Sequence, residues 1–89
     1  MPLADVFIGE MRISRAQAIA LAAEHVRDQE SELSRQALGA VRTATGWTVV
    51  FRRRPRRSNW GRAVSMDWFG KKIRLVPRDL DLTLPGSWR

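Results

Sequence analysis

The feature that most constrains this chain is a period-two alternation in its second half. Trp47, Val49 and Phe51 alternate with Thr48, Val50 and Arg52, and Val64, Met66 and Trp68 alternate with Ser65 and Asp67. Side chains two residues apart share one face of a strand, so each run reads as a strand with one strongly apolar face. Between the runs stands Pro55, which has no amide to give to a ladder, so the first strand must stop or become an edge by about Arg54. Ser58, Asn59 and Gly61 are turn formers. The sequence thus predicts a hairpin, with residues 63–69 as its second strand. Gly70 and Lys71 turn the chain again into a third strand over residues 73–76, which Pro77 stops.

The hairpin connection is basic. Arg52, Arg53, Arg54, Arg56, Arg57 and Arg62 fall within eleven residues that contain no acid, with Trp60 among them. The net charge of +7 is concentrated here. Residues 1–45 hold five arginines and six acids, whereas residues 46–89 hold eleven basic residues and three acids. Such asymmetry points to an anionic partner, either nucleic acid or an acidic protein face. On nucleic acid, the six arginines would neutralise phosphates and Trp60 would stack on a base. On an acidic protein surface, the same side chains would steer association and form bidentate pairs with carboxylates. A solvated loop kept soluble by its charge is the third reading, because a charge run alone is unspecific.

Ahead of the strands lies the clearest helix. Ser14 and Gln17 have capping-box spacing. Ala16, Ile19, Ala20, Ala23 and Val26 form one apolar stripe, and the polar run over residues 27–32 should end the helix. Residues 33–45 read either way: Leu33, Ala37, Leu38 and Val41 suit a helix weakened by Gly39, or residues 38–45 form a strand turning at Gly46. Val6, Phe7 and Ile8 make a short apolar patch near the start. The tail alternates Leu80, Leu82 and Leu84 with Asp79, Asp81 and Thr83, as a fourth strand or an extended segment would. The fold expected is α+β: one amphipathic N-terminal helix packed on a three- to four-stranded antiparallel meander, in a single domain. The inward face of each strand stays open, since a one-residue slip inverts it.

The chemistry-bearing residues are sparse. There is no cysteine, which removes disulfides and thiolate metal sites, and His25 is the lone histidine. Asp67 reads as turn support, accepting amides near Gly70. No phosphate-loop, dinucleotide-binding or nucleophile-elbow motif occurs. No catalytic residue, cofactor or metal is therefore assigned. No apolar run reaches the roughly 18 residues of a membrane span, and the acids near the start are unlike a secretory signal, which points to a cytoplasmic protein without membrane attachment. A sheet this short leaves edges open, and two copies pairing through an edge strand, with the LDLTL tail as candidate, would make a homodimer.

Ile13, Ser14, Ala18, Ile19 and Ala22, then Trp47, Val49 and Phe51, then Met66, Asp67, Gly70, Lys71 and Ile73 follow a recognisable order. That order resembles PepSY-like domains and the related small immunity-type proteins, over about residues 12–76. The resemblance implies a small α+β module without catalysis that binds or inhibits another protein. A free-standing immunity protein, or a phage-type inhibitor of a host enzyme, fits the length best. The basic connection lies outside the resemblance.

Overall fold

The computed structural model describes residues 12–54 and 59–83. Helix α1 (Arg15–Gln29) is followed by β1 (Leu33–Arg42), β2 (Gly46–Arg53), β3 (Trp60–Asp67), β4 (Arg74–Leu75) and β5 (Leu80–Asp81). All pairings are antiparallel in the order β1–β2–β3–β4, with β5 also on β3. The α+β arrangement is the one the sequence predicts. The early apolar patch at Val6, Phe7 and Ile8, and Trp88 in the tail, lie outside the described residues.

Local chemistry accounts for each boundary. The Ser14 hydroxyl accepts the Gln17 amide at 3.1 Å, and the Gln17 side chain accepts the Ser14 amide at 2.8 Å, a complete capping box. At the other end the Glu30 amide donates to the Val26 carbonyl, and the chain turns into β1 within three residues. The hairpin between β1 and β2 closes on Thr43, whose hydroxyl accepts the amides of Thr45 and Gly46. Gly46 is required there, since a Cβ would stand 2.0 Å from the Met66 carbonyl oxygen of β3.

The register shows which face is inward. Trp47 pairs with Met66, Val49 with Val64 and Phe51 with Arg62, so these side chains share one face. The helix lies on that face. Its buried residues are Ala18, Ala22 and Val26, and they join Leu33, Trp47, Val49, Phe51, Val64 and Met66 in the core. The small alanines bring the helix backbone close to the sheet. Burying each large apolar side chain of this cluster contributes about 1.5–3 kcal/mol.

Four sequence expectations shift. The helical stripe is rotated by part of a turn, and Ala16 and Ala20 are exposed. Alanines occupy nearly every face of this helix, so its apolar pattern does not select one; the bulkier Val26 and the flanking Ile19 and Leu21 do. Residues 33–42 are strand, resolving the open alternative against helix. Pairing with β2 decides it, with Gly39 opposite the fully buried Val50. The strand β3 runs from Trp60 to Asp67, three residues ahead of its expected start. Trp68 leaves the strand but keeps its core role, packing edge-on against Trp47 at 6.3 Å. Finally, β4 and β5 are two residues each and lie in succession along β3, with Pro77 between them. They form one interrupted edge, tied by the Val76 amide to the Ala63 carbonyl at 2.8 Å.

Candidate functional site

The basic connection is rooted in β2 and β3, and the structure separates its arginines into different situations. Arg53, at the end of β2, lies 3.6 Å from the Asp79 carboxylate and 3.9 Å from that of Glu32. Arg62, on β3, reaches the other Asp79 oxygen at 3.5 Å through Nε, and its Nη2 donates to the Val76 carbonyl at 3.1 Å. Nε is buried and makes no hydrogen bond, so the contact with Asp79 is electrostatic. One carboxylate from the interrupted edge thus bridges the two strands of the hairpin. Arg53 and Arg62 serve the frame of the site.

Arg54 is exposed, while its amide is fixed by the Glu32 carbonyl at 2.8 Å. Arg52 sits on the helix-free side of the sheet, half-buried, and lines a shallow concavity of about 380 Å³ with Ser34, Gln36, Ala37 and Leu38. Arg56 and Arg57 lie outside the described residues. Trp60 opens β3 opposite Asp81 of β5, and 48% of its surface is exposed. The structure thus brings Arg53 and Arg62 together on Asp79, with Trp60 two residues before Arg62 on β3. Asp79 is the residue that sequence reasoning missed as a member of this group. Its signal was the alternating tail, of which Asp79 meets the two arginines once β5 joins β3.

The opposite end of the sheet holds a second basic cluster. Arg12 stacks on Trp68 at 5.2 Å, and Arg42 on Trp47 at 5.5 Å. With the edge-on Trp pair these make a four-residue stack that closes the core. Beside it a groove of about 520 Å³ is lined by Thr43, Thr45, Thr48, Ser65, Asp67, Lys72 and Arg74, among others. Much of that polar lining is turn structure. Thr43 is engaged as described, and Asp67 Oδ1 accepts the amides of Lys71 at 2.8 Å and Phe69 at 2.9 Å. The Lys71 amide is the main cause that holds the Asp67 carboxyl below its usual range. Burial opposes it, and the Phe69 amide and the charges of Lys72 and Lys71 add to it. Asp67 is thus the turn support its sequence position implied. Gly70, with φ 75°, allows that turn to press on Leu21 of the helix.

His25 sits half-buried on the helix flank, in a shallow concavity of about 200 Å³ with Leu21, Glu24, Asp28, Gln29 and Ile73. Among the described residues no three His, Asp or Glu side chains converge to hold a metal ion. Among the same residues no helix is long and apolar enough to cross a membrane. No family model, curated protein or solved structure matches this chain.

Proposed function

We propose that this chain is a small non-enzymatic binding protein, an inhibitor or immunity-type factor, that engages an acidic surface of another protein through its basic hairpin. The observation that carries the reading is Trp60. It is a large aromatic, half out in solvent, on a strand whose base is held by the Arg53–Asp79–Arg62 bridge. Aromatic anchors on rigid elements, surrounded by arginine, are the side chains that dominate protein interfaces. The immunity-type resemblance of residues 12–76 supports the same class.

The nucleic-acid reading asks the arginines to be available to phosphate. Two of the six already face carboxylates of their own chain. That weakens a reading carried by phosphate neutralisation alone more than one in which an exposed aromatic supplies the anchor and the arginines only flank it.

The test is affinity capture with the tagged full chain, followed by the same capture with Trp60→Ala. A stoichiometric protein whose affinity falls roughly 30-fold in the variant, about 2 kcal/mol, is the expected result. Micromolar binding to generic duplex DNA that Trp60→Ala leaves intact and that collapses with added salt would replace this reading with the nucleic-acid one.

A further inference from the structure

The long open edge of the sheet is β1. It is ten residues long, and no described strand other than β2 pairs with it. The other edge, which includes the leucine-rich tail, is broken into two short pieces. Exposed edges template pairing, and proteins ordinarily blunt them with lysine, proline or brevity. β1 has no lysine and no proline, and residues 37–41, ALGAV, carry no charge.

The turn fixes the phase of the ladder. The Thr43 amide donates to the Gly46 carbonyl at 2.8 Å, so residues 43 and 46 form a hydrogen-bonded pair. Antiparallel pairs alternate between bonded and non-bonded. Pairs 41:48 and 39:50 are then bonded, while 40:49 and 42:47 are not. The amides and carbonyls of Ala40 and Arg42 therefore point away from β2, toward the open edge. Just beyond them the register shifts between Ala37 and Gly39, and Leu38, 43% exposed, stands at that irregularity. The concavity lined by Ser34, Gln36, Ala37, Leu38 and Arg52 adjoins it. Outward backbone groups, an exposed apolar side chain and a concavity sized for a side chain or two lie in one row.

Charge selects the occupant. Arg35 and Arg42, both exposed, bracket the neutral stretch. A second copy pairing antiparallel through residues 37–41 would set Arg35 of one chain opposite Arg42 of the other, or one place from it, and would do so twice. Like charges facing across strands destabilise the pair. We propose that the β1 edge receives an extended segment of another protein, apolar at its centre and carboxylate-bearing toward its ends, as an added strand. The inference rests on the protein-binding reading and places a second contact on a different element from Trp60.

The test is a titration of the ¹⁵N-labelled full chain with a capped nine-residue peptide, valine and threonine in its middle and glutamates at both ends. A peptide with lysines in place of the glutamates is the control. Saturable shifts at the Ala40 and Arg42 amides, and roughly tenfold slower exchange of the Ala40 amide at saturation, are expected with the glutamate peptide alone. Reversing both charges (R35E with R42E) should exchange the preference for that of the lysine peptide. Because Arg42 also stacks on Trp47, Arg35→Glu alone serves as the second variant and should weaken the glutamate peptide several-fold with the stack intact. No saturable change along β1 at millimolar peptide would overturn the proposal. Shifts confined to the Trp60 hairpin would reject the edge while leaving the protein-binding reading standing. Edge binding by the peptide, together with partner capture indifferent to Trp60→Ala, would reject the hairpin and keep the edge. A dimer in sedimentation that by itself protects the Ala40 amide would make a second copy the occupant and overturn the proposal.

Discussion

Asp67 closes the turn that leads from β3 toward β4. Its place before Phe69, Gly70 and Lys71 marks it as a turn acceptor, and its carboxylate takes the Lys71 and Phe69 amides. Lys72 adjoins it in the left-handed region at φ 56°, a conformation that costs a non-glycine residue some strain. The ionised carboxylate is the form these amides favour, so the folded-state pKa lies below the ordinary 3.8. The sign follows: the stabilisation is present above the unfolded-state value and is lost as pH falls through the folded-state one. We expect Asp67→Asn to be less stable than the parent by a constant margin from pH 7 to about 5, with the margin closing below about pH 4. Urea denaturation at stepped pH measures it, and a margin unchanged at the acid end would mean the carboxylate charge contributes nothing to the turn. Arg53 and Arg62 are the contrasting case. Their partner Asp79 is remote in sequence and reaches them only because β5 folds back on β3. No local spacing announces such a pair.

Among the elements, those with their own terminal chemistry were legible, and those defined by a neighbour were not. The capping box of Ser14 and Gln17 starts α1 where the sequence places it. Ser14→Ala should cost about 1 kcal/mol by stranding amides of the first turn. For a domain of this size that is a fall in Tm of roughly 4–8 °C by circular dichroism. A Ser14→Asp variant, which can still cap, should recover most of it; recovery by neither Asp nor Thr would show that the cap is not what the serine supplies. The strand β1 had no such signal. LSRQALGAVR has apolar residues at both helical and strand spacing, and its irregular register against β2 erases the strict alternation that would have marked it. Only residues 39–42 keep an unbroken register with β2; the strand alternative over residues 38–45 covers them but also takes in residues 43–45, which form the turn. The exposed alanines of α1 make the same point from the other side. An apolar stripe made mostly of alanine names a helix, while its orientation is set by the few larger side chains it carries.

For the whole molecule the decisive quantity is where its charge is spent. The net +7 suggests a surface seeking anions, but folding brings Asp79 between two arginines of the hairpin and Glu32 beside one of them. Asp79 is 45% exposed at its side chain, so each of these pairs contributes at most about 1 kcal/mol of stability. Its larger effect is on what the hairpin presents: a basic rim around Trp60 whose central charges are already answered. Asp79→Asn separates the two roles. The variant should lose no more than about 2 kcal/mol of stability, at most about 1 for each of the two pairs it removes, while the Arg62 guanidinium keeps its bond to the Val76 carbonyl. Its binding to duplex DNA should become tighter at low salt, with the dependence of log K on log salt about one unit steeper, as one newly available arginine displaces one more counterion. Fluorescence anisotropy over a range of salt concentrations measures both chains. If the parent instead already binds DNA with the slope of the variant, the internal carboxylate does not restrain the hairpin. The preference for a protein partner would then lose the electrostatic half of its support, leaving the exposure of Trp60 to carry it alone.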